Sequence, residues 1–426
     1  MVIVGGGFGG LACARELDGR PVDVLLVDSR NYHLFTPLLY QVATALLNPS
    51  DIAYPLRACF RGSPNVKFRQ ALVTGVAFDA KTIQTDAGDE VAYDYLVLAT
   101  GSIENYFGSG DLEVFTFGLK TLEQALRLRN HVLACLERAC QARDDAERKR
   151  LLTFVVVGGG PTGVEYAGAL VELLKLVLGH DYPGLSPGLA RIVLVEGLDR
   201  LLAAFPERLG RYAEDTLRRR GVQVRTGALV AKATARSALL SDGDEIQTAT
   251  VVWSAGVRPH EPMEVPEPAR SRSRRIEVDA HLRIAGRPDA FAIGDVASMR
   301  HGDDELPMLS APAMQAGRHV AHLIMDEAGL ASGSTRSLRK PFRYRDKGTM
   351  ATIGRNAAVG QIGPLEFTGF VGWAAWLTVH LYYLVGFRNR LAVFASWGWN
   401  YLHKDRPLRI IVQPNGRLGD RETDGS

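Results

Sequence analysis

Val2-Ile3-Val4-Gly5-Gly6-Gly7-Phe8-Gly9-Gly10 opens the chain and commits its N-terminal region to one architecture. An apolar strand runs into Gly5-x-Gly7-x-x-Gly10, an Ala/Leu-rich helix follows over residues 11–17, and the next apolar run, residues 22–27, ends in the acid Asp28. The glycines permit a tight turn and let backbone approach a pyrophosphate, the helix N-terminus offers free N–H groups to phosphate charge, and Asp28 can bond a ribose hydroxyl. The glycines alone would fit a turn in many unrelated α/β proteins. Strand, loop, helix, strand and acid in that order specify a dinucleotide-binding unit.

The pattern returns. Thr153-Phe154-Val155-Val156-Val157 enters Gly158-x-Gly160-x-x-Gly163, Val164-Glu165-Tyr166-Ala167-Gly168-Ala169 begin a helix, and the strand at residues 191–195 ends in Glu196 after a Pro/Gly-rich insertion at 179–188. Short β-like runs follow each unit, at residues 66–69, 72–78 and 81–85 and again at 222–226, 229–233 and 238–241, and read as antiparallel meanders. Each half then closes with a buried strand running to a glycine, Thr100-Gly101 in one and Ser254-Ala255-Gly256 in the other, where an open α/β sheet places its ligand. This duplication at domain scale predicts two nucleotide ligands facing each other.

Between the fingerprints, Asn31-Tyr32-His33-Leu34-Phe35-Thr36-Pro37-Leu38-Leu39-Tyr40-Gln41-Val42-Ala43-Thr44 is aromatic and apolar. It fits either a cover over the ligand of the first loop or a buried connector. Residues 121–150 read as one or two amphipathic helices with Leu122, Ala125, Leu126, Val132, Leu133 and Leu136 as the apolar stripe. Cys135 and Cys140 have a spacing that invites a redox-disulfide reading, but helix positions five apart point about 140° away from each other, so the thiols are expected to diverge. Farther on, Ala290-Phe291-Ala292-Ile293-Gly294-Asp295 is a strand ending in an acid that suits a ribityl hydroxyl or a helix cap. Residues 259–275 read as a return linker and 332–337 as a flexible joint.

Residues 369–387 contain no Asp, Glu, Lys or Arg and only His380 as an ionisable group, a length that qualifies as a membrane span. Thr378, Tyr382 and Tyr383 interrupt the run, and Arg388, Arg390, Phe394, Trp397, Trp399, Tyr401 and His403-Lys404-Asp405-Arg406 follow it. Aromatic residues beside basic ones suit a helix lying among lipid headgroups. An interfacial anchor is therefore preferred to a buried dimer helix, and that to a true span.

The totals agree with a two- or three-domain protein: 426 residues exceed one ordinary core. A net charge of +3 argues against affinity built on phosphate neutralisation, so no nucleic-acid partner is expected. Cys13, Cys59, Cys135 and Cys140 form neither a disulfide framework nor a metal site, which fits a reducing compartment. The first strand begins at residue 2, so no signal peptide is expected ahead of it and a cytoplasmic location is.

With these motifs in view the chain resembles the type II NADH:quinone dehydrogenases, single-subunit flavoenzymes, over essentially its whole length. The resemblance is carried by Phe35-Thr36-Pro37-Leu38-Leu39-Tyr40-Gln41-Val42-Ala43-Thr44, Gly158-Gly159-Gly160-Pro161-Thr162-Gly163-Val164-Glu165, Trp253-Ser254-Ala255-Gly256-Val257 and Gly386-Phe387-Arg388-Asn389-Arg390. It implies an α/β fold with two Rossmann-like domains of the pyridine nucleotide-disulfide reductase type and a C-terminal membrane-associating region. The corresponding domains are 1–120 with 276–345 for FAD, 121–275 for NADH, and 346–426 as the amphipathic anchor.

The resemblance further implies non-covalent FAD at Gly5, Gly7, Gly10, Asp28, Thr44, Thr100, Gly101, Gly294 and Asp295, and NADH at Gly158, Gly160, Gly163, Glu196 and Gly256. Glu165 and Gln315 are the candidate catalytic residues, and Ala311, Gln315, His380 and Tyr383 the candidate quinone contacts. Many members carry two glutamines four apart, and Ala311 stands at the first of those positions here. Glu196 is expected to repel a 2′-phosphate and favour NADH, with Arg200 nearby working against it. The implied partners are a membrane quinone, the bilayer surface on its cytoplasmic face and a second copy of the chain, with no proton pumping. The competing readings are a sulfide:quinone oxidoreductase, which needs cysteines at the flavin, a soluble ferredoxin or disulfide reductase, and a nucleotide-sensing protein without turnover.

Overall fold

The computed structural model describes residues 1–182, 184–260, 269–329, 340–403, 406 and 408–412. The linker expected at 259–275 lies partly outside these residues, and the joint at 332–337, with Lys404 and Asp405, wholly outside. The chain forms two compact units, Met1–Leu34 with Ala53–Ile103 and Val257–Lys347, and Phe35–Ile52 with Glu104–Gly256 and Gly348–Ser426. The C-terminal region therefore groups with the second glycine loop instead of forming a third body, and Phe35–Ile52 groups there too.

In the first unit a six-stranded sheet runs Arg283–Ile284, Arg287–Ala292, Leu96–Leu98, Val2–Val4, Val24–Asp28, Val66–Gln70. All neighbours are parallel except the first pair. Strands buried on both faces read as unbroken apolar runs, and Val2, Ile3 and Val4 are all buried. The helix Phe8–Glu16 packs on the helix Ser310–Glu327 at a glycine contact: a Cβ on Gly317 would lie 2.2 Å from the Gly9 carbonyl oxygen.

The second unit repeats the plan with a five-stranded parallel sheet in the order Phe117–Gly118, Thr250–Trp253, Thr153–Val157, Arg191–Glu196, Val222–Thr226. Three-stranded antiparallel sheets follow in both units, formed by Val73–Ala77, Thr82–Thr85 and Glu90–Ala92 and by Val230–Ala233, Ser237–Leu240 and Glu245–Gln247. The runs at 66–69 and 222–226 thus belong to the parallel sheets and not to the meanders. Each is an edge strand with one covered face, so Val66 is buried, Lys67 exposed and Phe68 buried, and alternation alone does not reveal the pairing partner.

Thr121 and Gln124 form a capping box at the start of the helix Leu122–Gln141. On that helix Cys135 is buried and Cys140 exposed, and all four cysteines are free. A small antiparallel sheet, Thr349–Thr352, Ala358–Ile362 and Leu365–Thr368, precedes the helices Gly369–Tyr383 and Phe387–His403. The uncharged run is broken at Leu384 and at Gly386, where φ is +88°. Among the described residues no helix is long and apolar enough to cross a membrane, so the spanning helix weighed from the sequence is not formed.

Candidate functional site

The first glycine loop needs its glycines for two different reasons. Gly5 has φ +109°, and a Cβ there would lie 2.3 Å from the Ala99 carbonyl oxygen; a Cβ on Gly10 would lie 1.9 Å from that of Gly5. Gly7 is the N-cap of the helix Phe8–Glu16 without any side-chain cap, and a Cβ there would meet nothing within 4 Å. An open, N–H-rich helix start is left for an anion. Asp28 accepts from Gly6 N at 2.6 Å and Arg30 N at 2.7 Å; burial raises its pKa while those bonds lower it. Thr100 Oγ1 donates to the His260 carbonyl at 2.7 Å, and Ser102 Oγ donates to Asp295 Oδ2 at 2.5 Å. Gly101 and Gly294, beside them, have φ of +77° and +72°.

Thr44 stands on the other unit. It is fully buried in the second unit, and its hydroxyl donates to the Tyr40 carbonyl at 3.0 Å. It closes the short helix Leu39–Ala43.

The second loop repeats the glycine constraints of the first. Gly158 has φ +104° with a would-be Cβ 2.6 Å from the Ser254 carbonyl oxygen, Gly163 meets the Gly158 carbonyl at 1.9 Å, and Gly160 is open. Ser254 Oγ donates to the Val157 carbonyl at 2.7 Å. Glu196 accepts from Gly159 N at 2.5 Å and Leu198 N at 2.8 Å, as Asp28 does in the first unit. Arg200 is spent elsewhere: it donates to the carbonyls of Ala203 at 2.7 Å and Phe205 at 3.1 Å. Both Arg200 Nη atoms are thus directed at backbone carbonyls and not at Glu196. Glu196→Gln is expected to narrow the NADH-over-NADPH preference about tenfold, since removing one charge repulsion of about 1.4 kcal/mol is a factor of ten; an unaltered ratio of kcat/KM values removes Glu196 from that role.

Also in the second unit, Glu165 sits in the buried face of the helix Pro161–His180. Its Oε1 accepts from Thr352 N and Trp376 Nε1, both at 3.2 Å. Burial outweighs those bonds and pushes its pKa up to about 8, so the carboxyl carries a proton at neutral pH. Trp376 is the centre of an aromatic group: His380 stacks on it at 3.9 Å, Trp397 lies 5.9 Å away, and Tyr40 meets it edge-on at 6.4 Å. His380 Nδ1 bonds the Trp376 carbonyl at 2.7 Å, and burial lowers its pKa to about 4, leaving a neutral imidazole. Phe35 meets that ring edge-on at 6.2 Å. Gln41 bridges the group, donating to the Tyr40 hydroxyl at 2.8 Å and accepting from Trp397 Nε1 at 2.7 Å.

The other sequence candidates fall into separate places. Gln315 pairs its amide with the backbone of Arg345, at 2.9 Å to the carbonyl and 3.0 Å from the N–H, and Ala311 lies in the first turn of the same helix. Both belong to the first unit, while His380 and Tyr383 belong to the second; Tyr383 is half-buried and meets the exposed Tyr382 edge-on. The residues from Phe35 to Thr44 belong to the second unit, with Thr36 and Pro37 half-buried and the others buried. Sequence reading missed Tyr40, Gln41, Trp376 and Trp397. One signal was available: Gln41 is a lone amide in an apolar run, and a buried amide needs partners.

The pattern of the Pyridine nucleotide-disulphide oxidoreductase family matches residues 1–317. The type II NADH:quinone oxidoreductase Ndh of Mycobacterium tuberculosis is 36% identical over 423 residues, which is 97% of this chain and 90% of that protein. This chain belongs to the type II NADH:quinone oxidoreductase family. The structure of NDH2 from Plasmodium falciparum in complex with NADH shares the fold at TM-score 0.87 and 19% identity, covering 97% of this chain and 99% of that one. The sulfide:quinone oxidoreductase of Aquifex aeolicus shares it at 0.72 and 19% identity, with 95% of each chain covered. Type II NADH:quinone oxidoreductases use FAD and NADH, and both loops here fit such ligands: the side a Cβ would block is glycine, and the side open at Gly7 and Gly160 faces a helix start.

Proposed function

We propose that this chain is a membrane-attached, FAD-dependent NADH:quinone oxidoreductase that pumps no protons, with FAD at the first loop and NADH at the second. The observation that carries this is the pair of matched cradles in a chain related over 97% of its length to an NADH:quinone oxidoreductase. FAD, when bound, would supply hydride acceptance and two-electron transfer. Gly5, Gly7, Gly10, Asp28, Thr100, Gly101, Gly294 and Asp295 hold it. Gly158, Gly160, Gly163, Glu196 and Gly256 hold the donor. Glu165 keeps a proton at neutral pH for the reduced acceptor, and the ring group of Phe35, Tyr40, Trp376 and His380 offers an apolar wall for a quinone head. Ala311, Gln315 and Tyr383 remain further quinone contacts in this reading. The test is turnover of the purified yellow protein with NADH and a short-chain quinone; a flavin that NADH does not bleach supports the sensing rival instead.

The sulfide reading is disfavoured by the thiols. Burial pushes Cys13 up to about 12 and Cys135 up to about 11 and raises Cys59 and Cys140, away from thiolate character.

For attachment, Phe370, Val371, Tyr382, Phe387, Leu391, Phe394, Trp399 and Leu402 are exposed on the last two helices, and Arg388 and Arg390 are exposed beside them. Helices of this make-up lie in the headgroup region. Replacing Phe387, Leu391 and Phe394 together by Glu is expected to release the protein from sedimenting lipid vesicles, since each buried side chain is worth about 1.5–3 kcal/mol. Unchanged sedimentation contradicts the anchor. The cytoplasmic face and a homodimer complete the proposal.

A further inference from the structure

Arg406 stands at the end of the C-terminal helices among residues the sequence reads as headgroup-facing, yet only 2% of it is exposed. Its Nη1 donates to the Thr44 carbonyl at 2.8 Å and the Ala169 carbonyl at 3.1 Å, and its Nη2 to Glu172 Oε2 at 3.1 Å. Two stretches far apart in sequence therefore meet on one guanidinium. Each is one step from the ring group. Thr44 closes the helix that carries Tyr40 and Gln41. Ala169 and Glu172 lie one and two turns beyond Glu165 on the same helix face.

Glu172 ties the site from its other side. Its Oε1 accepts from Arg220 Nη1 at 2.8 Å and from Arg355 N at 2.5 Å, at the end of the strand whose Thr352 N–H bonds Glu165. The tail continues with Arg409 on Asp181 at 3.0 Å and Val412 paired with Asn130. A guanidinium carries enough donors to satisfy two carbonyls and a carboxylate together, and a buried cation without such partners would be costly.

We propose that Arg406 is a positioning residue for acceptor reduction: it fixes the helix bearing Tyr40 and Gln41 against the helix bearing Glu165, and so sets the ring group's geometry. This rests on the quinone reading of that group. The NADH loop has bonds of its own, Gly159 N–H on Glu196 and Ser254 Oγ on the Val157 carbonyl, at the N-terminal end of the helix bearing Glu165 and about two turns before Ala169, so the donor reaction is expected to survive loss of Arg406.

The test uses the full-length flavoprotein and reads the two half-reactions apart. Arg406→Met is expected to keep its flavin and to be bleached by NADH within about twofold of the parent, while kcat/KM for a short-chain quinone falls about a hundredfold, the scale of a roughly 1 Å misplacement. Arg406→Lys, which retains charge and three donors, recovers most of the loss. Arg409→Ala, which removes the ion pair to Asp181 but none of the three hydrogen bonds of Arg406, leaves quinone kinetics unchanged. Unaltered quinone kinetics in Arg406→Met, an equal fall in both half-reactions, or a comparable defect in Arg409→Ala overturns the proposal. Should Arg406→Met not yield folded protein, Arg406→Lys and Glu172→Gln decide: a raised quinone KM in Glu172→Gln, with NADH bleaching kept and Arg406→Lys close to the parent, supports it, and parental quinone kinetics in Glu172→Gln overturns it. A parent enzyme that reduces no quinone contradicts the quinone reading itself, a different result from parental kinetics in the variants.

Discussion

Gly158→Val is expected to leave the protein yellow and to slow its reduction by NADH at least about a hundredfold, two steps of 1.4 kcal/mol. Two effects combine. At φ +104° a β-branched residue is strained, which costs on the order of 1–3 kcal/mol, and its Cβ would be driven to 2.6 Å from the Ser254 carbonyl oxygen. The loop must move, and with it the N–H groups at the start of the helix Pro161–His180 that would face a pyrophosphate. Flavin is retained because the first cradle is built from Gly5, Gly10, Asp28 and Ala99 in the other unit. The companion variant Gly5→Val reverses the result: its Cβ would lie 2.3 Å from the Ala99 carbonyl oxygen, and the protein is expected to lose its colour. Flavin content and single-turnover bleaching read both, and flavin lost with Gly158→Val contradicts the assignment of ligands to loops.

Glu165→Gln is expected to be reduced by NADH normally but to pass electrons to quinone about 10²–10⁴-fold more slowly, the usual loss on removing a general acid. The amide keeps an oxygen for Thr352 N–H and Trp376 Nε1–H, so the packing survives and only the proton is gone. In the parent, quinone reduction should fall as pH rises through about 8, where the carboxyl ionises; Glu165→Gln should lack that limb. Stability gives an independent reading. Burial raises the folded pKa from the ordinary carboxyl value of 4.5 to about 8, so the folded state binds the extra proton between those two values. Folding stability from this group is therefore full at low pH and is lost as pH rises across that window. Relative to the parent, Glu165→Gln should gain stability across the same window and level off above it. Parental quinone rates with a parental pH profile would leave Glu165 a packing residue.

The parts of this protein that could be read before folding are those where local chemistry admits one answer. Gly5 and Gly10 must be glycine because backbone oxygens occupy the space of a Cβ, and the same holds at Gly158 and Gly163, so the duplicated fold was visible from spacing alone. The divergence of Cys135 and Cys140 followed from helix geometry in the same way. Pairing partners were harder, because Val66–Gln70 and Val222–Thr226 alternate in burial at an edge just as a meander strand would. Least legible was the ring group. Tyr40, Glu165 and the C-terminal Trp376, Trp397 and Arg406 come from three stretches more than a hundred residues apart and meet through tertiary packing, so no local pattern marks them as a set. Arg406 misled most: a basic residue after an aromatic helix looks like a headgroup contact until its partners, Thr44, Ala169 and Glu172, are seen.

The measurement that tests the central claim most directly is anaerobic stopped-flow absorbance of the purified full-length protein, mixed first with NADH and then with a short-chain quinone. The expected result is a flavin spectrum that bleaches with NADH and returns with quinone, one equivalent of each per flavin. A colourless protein that retains no added FAD, or a flavin that NADH leaves oxidised, contradicts it.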